Sequence, residues 1–140
     1  MQCGTFAACE QSAHAANVTS HVLQPRNGSY HFLTGFFYPG NPSNPQWAFR
    51  FQFSDLPMKA TIEEDVDKLG GGFACPHTAD ESEVSTSTGR TVCYISFGSD
   101  SEARYYEDGV LYKVYLLPPM PHIQQSAVQS LLSAFIDRLQ

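Results

Sequence analysis

Charge is scarce in this chain. Charged side chains make up 16 % of its 140 residues, and eight Lys and Arg face fourteen Asp and Glu, for a net charge of −6. That balance argues against nucleic acid, because phosphate binding needs a basic face. It suits a basic partner instead. Low charge combined with 42 % apolar residues argues against a disordered chain. No apolar run approaches the roughly 20 residues of a membrane-spanning helix. Motifs of catalysis are missing as well. Gly98-Ser99-Asp100-Ser101 does not match a G-x-S-x-G nucleophile elbow and reads as a turn. Cys75, His77 and Cys93 supply three zinc ligands at most. Asp65-Val66-Asp67 with Gly70 fails as a calcium loop, since Leu69 and Pro76 stand where ligands are needed. The triple glycine Gly70–Gly72 ends an element rather than opening a helix, the wrong order for a phosphate loop. No metal and no cofactor is expected, and the chain reads as a non-enzyme.

Aromatic residues are plentiful by contrast. Ten Phe and seven Tyr supply large burial per residue, enough for one real core in a chain of this length. Residues 30–38 read as an aromatic strand broken by Gly35, and the proline-rich 39–45 as a loop. Trp47, Phe49, Phe51 and Phe53 alternate with Ala48, Arg50 and Gln52, which predicts a half-buried strand. Thr61-Ile62-Glu63-Glu64 matches a helix capping box. Ile62, Val66 and Leu69 follow at helical spacing with Gly70 as the stop, so a short helix is expected over about 62–69. Its carboxylates Glu63, Glu64 and Asp65 would then sit where a helix dipole favours them.

Residues 91–97 are β-branched and aromatic, hence a strand. Asp108-Gly109 between 103–107 and 110–117 is a strong hairpin signal. Ile123, Ala127, Leu131, Phe135 and Leu139 recur every fourth residue, which predicts a long C-terminal helix over about 122–139. The expected fold class is α+β: one antiparallel sheet with helices on one or both faces, an α/β sandwich. Residues 16–140 would form this single domain.

Four cysteines stand at 3, 9, 75 and 93. Residues 1–15 differ from the rest, being small, nearly uncharged and rich in Ala and Cys. They read as a leader remnant or a disordered arm. Ala13-His14-Ala15 has the form of a signal-peptidase site. Alternatively Phe6-Ala7-Ala8-Cys9 has the form of a lipobox, with Cys9 lipidated and the protein anchored to a membrane. That leaves one pair in the folded body. An exported protein would close it as a Cys75–Cys93 disulfide, and a cytosolic one would bury two free thiols. The polar segment between them reads as a long exposed loop.

Carboxylates gather in the connections: Asp80, Glu81 and Glu83 in that loop, Asp100 and Glu102 in a turn, Glu107 and Asp108 at a hairpin tip. Clustered on rigid strands, they would steer and hold a basic protein partner. They could also serve as the paired carboxylates of a small hydrolase. From Ala103 to Leu139 the D-G hairpin, the strand VLYKVYLL, the proline break and the helix ending SLLSAFIDRL resemble the end of PsbP/DcrB-like domains. That resemblance implies a small α/β sandwich of the bacterial envelope, without catalytic residues, that assists a transporter or wall assembly. The short, acidic, exported profile as a whole resembles the periplasmic immunity proteins of type VI secretion systems. It implies an inhibitor that blocks the cleft of a secreted peptidoglycan hydrolase.

Overall fold

The computed structural model describes residues 2–15, 22–25, 30–38, 46–53, 61–68, 72–76, 81–97, 100–117 and 125–140. They form eight strands and two helices in the order β1 (Gln2–Cys3), α1 (Phe6–Ala15), β2 (Tyr30–Tyr38), β3 (Gln46–Phe53), β4 (Thr61–Lys68), β5 (Glu81–Ser85), β6 (Thr91–Phe97), β7 (Asp100–Glu107), β8 (Val110–Leu117) and α2 (Gln125–Asp137). All strands join one antiparallel sheet ordered β1-β2-β3-β4-β8-β7-β6-β5. Two meanders, β2-β3-β4 and β5-β6-β7-β8, therefore meet at the β4–β8 seam. The link from β4 to β5 must cross from the centre of the sheet to its far edge.

Period-two patterning puts the core on one face. Phe37, Trp47, Phe49 and Phe51 are buried, as are Val110, Tyr112, Val114 and Leu116, as their alternation predicts. Both helices cover this face. Phe6 of α1 meets Phe49 edge-on, with ring centroids 5.5 Å apart, and Phe135 of α2 reaches Phe51 and Tyr30. The Tyr94 hydroxyl donates to the Gln129 carbonyl of α2 at 2.9 Å. The hairpin at Asp108-Gly109 has φ of 50° and 80°, the left-handed pair that a tight two-residue turn needs.

The expected helix over 62–69 is a correction. Residues Thr61–Lys68 are β4, at the centre of the sheet, paired on both sides with β3 and β8. The spacing of Ile62 and Val66 fits either period. What hides the strand is Glu64, which sits between them on the core face. Paired strands on both sides satisfy every ladder position, and tertiary context overrides a local capping signal. The acidic run therefore has no helix dipole to serve.

Three further segments depart from expectation. Residues 2–15, read as a leader remnant or an arm, are part of the fold. Cys3 pairs with Gly35 in the β1–β2 register, and α1 rests on β2 with Cys9 and Ala13 buried. Cys3 and Cys9 form a disulfide with Cα atoms 5.3 Å apart, so the Cys9 sulfur, which the lipobox alternative would have carry a lipid, is bonded to Cys3 here. It packs on Gly35, where an added Cβ would lie 2.6 Å from Cys9 Sγ. The glycine in the aromatic strand is thus a seat for the disulfide. Residues 81–90 of the polar stretch read as a loop belong to the β5–β6 hairpin, and β7 starts at Asp100 inside the expected turn. Finally, α2 spans Gln125–Asp137, and the chain then turns so that Leu139 bridges Pro25 and Gln140 exchanges backbone hydrogen bonds with Gln24.

The β5–β6 turn holds this C-terminal end. The Ser87 and Thr88 hydroxyls donate to the Asp137 carboxylate at 2.7 and 2.6 Å. The Arg90 guanidinium donates to the carbonyls of Ile136 and Leu139 and lies over the Tyr105 ring. Arg90 thus caps the last turn of α2 at Ile136, whose carbonyl also accepts from Leu139 N–H, and the tail beyond it at Leu139.

Candidate functional site

Both described helices lie on one face of the sheet; among the described residues no helix covers the other, open face, and alternation decides what lines it. On β4 the register sends Glu63, Asp65 and Asp67 to this face, Glu63 buried and the other two partly buried. Their cross-strand neighbours are Arg50, Ala48 and Gln46 on β3, and Tyr115, Lys113 and Leu111 on β8. Arg50 Nε lies 3.2 Å from Glu63 Oε1, and Lys113 Nζ lies 2.7 Å from Asp67 Oδ2. The Tyr115 hydroxyl contacts both Glu63 and Asp65, at 2.8 Å from Asp65 Oδ2. A phenol has one proton, so it serves one carboxylate at a time. Glu63, Asp65, Asp67, Lys113 and Tyr115, with Gln46 and Ala48 of β3, border a pocket of about 310 Å³.

Burial pushes the Asp65 carboxyl up to about 6. The Tyr115 hydrogen bond and the Lys113 charge pull the other way, while Glu63 and Asp67 add to the rise. Tyr115 is raised above its ordinary value by the same burial and by its two carboxylate partners. Ion pairs with a solvated cation contribute only about 0–1 kcal/mol each, and here the Glu63 and Asp67 carboxylates are mostly buried while Arg50 and Lys113 stay partly exposed. Three carboxylates in a row on one strand face are therefore a weak device for stability and an effective one for negative potential.

The acidic face continues to the far edge. One register row runs Glu83, Cys93, Arg104, Lys113, Asp65, Ala48 across β5, β6, β7, β8, β4 and β3. A second aligns Glu81 with Ile95 and Glu102. Arg104 Nε donates to Glu102 Oε2 at 2.6 Å. The face thus carries six carboxylates, Glu63, Asp65, Asp67, Glu81, Glu83 and Glu102, against three cations, Arg50, Arg104 and Lys113, among the described residues.

Residues 72–76 of the β4–β5 crossover lie on this same face. The Cys75–Cys93 disulfide pins them to β6, with Cα atoms 5.5 Å apart. Phe73, Cys75, Glu83, Arg104 and Tyr106 border a second pocket of about 250 Å³ beneath the strap. The disulfide is the one expected, but it staples a crossover rather than closing a loose loop. The chain matches no protein-family model, no curated protein and no solved structure.

The residues singled out in the sequence divide. Glu81, Glu83 and Glu102 share the open face. Glu107 and Asp108 stand at the β7–β8 turn, at the opposite end of β7 from Asp100. Glu107 accepts a hydrogen bond from Tyr105 on the helix-covered side. Asp80 and His77 lie outside the described residues, as do Gly70, Gly71, residues 39–45 and the Gly98-Ser99 turn. The sulfurs of Cys75 and Cys93 are bonded to each other, so they are not metal ligands here. Among the described residues no group of three or more His, Cys, Asp and Glu converges on a metal position.

Sequence reasoning missed Glu63, Asp65, Asp67, Arg50, Lys113 and Tyr115. The signal was present as acidic residues at strict period two, 63, 65 and 67. The capping box at Thr61 masked it.

Proposed function

We propose that this is a non-catalytic binding protein that holds a basic protein partner against the open acidic face of its sheet. The observation that carries the reading is the excess of six carboxylates over three cations on that one rigid face. A rigid, charged platform lowers the entropy lost on docking and speeds encounter with an oppositely charged surface. Two disulfides put the protein in an oxidising compartment, the bacterial periplasm or the cell exterior, and among the described residues no helix is long and apolar enough to cross a membrane. In its specific form, the partner is a secreted peptidoglycan hydrolase and the protein is an immunity-type inhibitor that covers its cleft.

The test is capture from a bacterial envelope extract, with the bound protein identified by mass spectrometry and its wall-degrading activity followed by turbidity. The expected result is a salt-sensitive complex with a basic wall hydrolase, inhibited by the wild type and released by E63Q/D65N/D67N. Capture of a transporter or wall-assembly protein would instead favour the DcrB-like role. Capture that the triple variant leaves unchanged would remove the face from the binding site. One observation favours a second reading. Glu63 and Asp65 flank a single phenol beside a pocket, and Asp65 is pushed up to about 6, a pairing that suits acid–base hydrolysis. Turnover of a soluble glycan by the wild type, lost in D65N, would establish it.

A further inference from the structure

The sheet has one long bare edge. β5 (Glu81–Ser85) closes the strand order, and beyond β6 it has no neighbour among the described residues. Four of its five residues are exposed, Val84 among them at 44 %. Thr86 N–H donates to the Arg90 carbonyl at 2.8 Å where the hairpin turns. Bonding in an antiparallel pair alternates, so Ser82 and Val84 turn their backbone groups towards β6. Glu81, Glu83 and Ser85 turn theirs outward, to a row of unpaired donors and acceptors.

The side chains on this edge are sorted by face. Glu81 and Glu83 project to the open face, and Ser82 and Val84 to the helix side, by their register with Ile95, Cys93, Tyr94 and Val92. Oε2 of Glu81 is buried with no hydrogen-bond partner among the described residues. Glu83 borders the pocket under the Cys75 strap, beside Phe73 and Tyr106. A second copy of this chain fits the edge badly. Pairing β5 with itself about Glu83 sets Glu83 against Glu83, and like charges directly opposite are destabilising. The same two glutamates favour a strand with cations at alternate positions.

We infer that β5 is a strand-addition site, which takes an extended segment of the partner protein with Lys or Arg at every second residue. The segment's cations face Glu81 and Glu83, its intervening residues cover Val84, and its backbone completes the outward hydrogen bonds of 81, 83 and 85. A long aliphatic stem opposite Glu83 enters the pocket against Phe73 and Tyr106. This rests on the proposal that the partner is basic, and adds where and in what conformation it is gripped.

The test uses the oxidised full chain and synthetic peptides, followed by backbone amide NMR and calorimetry. Lys-Thr-Lys-Val-Lys-Thr-Lys is expected to bind and to shift the amides of 81–85. Lys-Lys-Lys-Lys-Thr-Val-Thr, of equal charge, is expected to bind about tenfold more weakly, because only alternation places its cations on one side. E83P removes an outward N–H and leaves the β6 ladder intact, so the thermal transition should persist while peptide binding is lost. E83Q should weaken binding only a few-fold. If E83P does not fold, E81K/E83K decides: it should prefer Glu-Thr-Glu-Val-Glu-Thr-Glu. The inference is overturned if E83P binds the alternating peptide as the wild type does, or if the two basic peptides bind alike. A wild type that self-associates through β5 in sedimentation also overturns it. Loss of peptide binding in E63Q/D65N/D67N with no effect of E83P would leave the acidic face standing and remove the edge. Binding that neither variant changes would remove both.

Discussion

Glu64 offers the sharpest test of the fold, because it is a carboxyl in the middle of an aromatic core. It is fully buried on the helix side of β4, opposite Phe49 and Val114, which are themselves fully buried. Neither carboxyl oxygen has a hydrogen-bond partner among the described residues. Burial raises its pKa well above the ordinary 4.5, with the Asp65 charge adding to the rise. The folded protein therefore keeps this proton at pH values where the unfolded chain has lost it. Stability must fall as pH rises above 4.5, and must stop falling only beyond the folded value. The slope over that window is about 1.4 kcal/mol per pH unit.

Glu64→Leu removes both the slope and the unsatisfied polar atoms. Near pH 4.5 it should be more stable than the wild type by about 1–3 kcal/mol, the cost of a buried polar group without a partner. That advantage should widen by about 1.4 kcal/mol for each further pH unit. Glu64→Gln should remove the slope but keep the polar cost. Urea unfolding of the three proteins at several pH values between acid and neutral measures both terms. An advantage of Glu64→Leu that stays constant with pH, or a loss of stability at every pH, would refute the placement of Glu64 in the core as a neutral, unpartnered group.

Other outcomes follow from single contacts. Intact mass under non-reducing conditions should fall short of the sequence mass by two hydrogens for each of the two disulfides. Cys75→Ser with Cys93→Ser should cost about 3 kcal/mol in urea unfolding, and Cys3→Ser with Cys9→Ser about 2 kcal/mol, since the second loop is shorter. Gly35→Ala drives a Cβ to 2.6 Å from Cys9 Sγ and should lower stability by about 1–3 kcal/mol, relieved in part when Cys9 is also replaced. Arg90→Ala removes the charged donor to the Ile136 carbonyl in the last turn of α2 and to the Leu139 carbonyl beyond it, and should cost about 1.5–3 kcal/mol, with faster amide exchange at 138–140. Affinity for a basic partner should rise with pH around 6, as Asp65 gives up its proton and joins the negative face, and this rise should vanish in D65N.

The locally encoded elements were legible from residue order alone. The Trp47–Phe53 alternation, the β6 run, the Asp108-Gly109 hairpin and the period of α2 each depend on neighbours a few residues apart. Their physics is side-chain direction and turn geometry, which pattern reports directly. The Cys75–Cys93 disulfide was legible too, as the one pair in the folded body that an exported chain would close. The N-terminal residues were harder. Little in MQCGTFAACEQSAHA indicates that Cys3 and Cys9 close a small loop on a glycine 26 residues past the second of them.

Only the tertiary structure decided what the acidic run does. Thr61 to Leu69 carries a valid capping box and a valid helical spacing, and in isolation those signals favour a helix. Strands β3 and β8 supply ladder partners on both sides of 61–68, and that pairing outweighs the local preference. Once the segment is extended, period two sends Glu63, Asp65 and Asp67 to the open face and Glu64 into the core. Residue order alone thus set the inventory, an aromatic core, four cysteines and an excess of acid. Which carboxylates share a face depended on strand order, because residues as far apart as Glu63 and Tyr115, separated by 52 positions, become neighbours only when the two meanders meet.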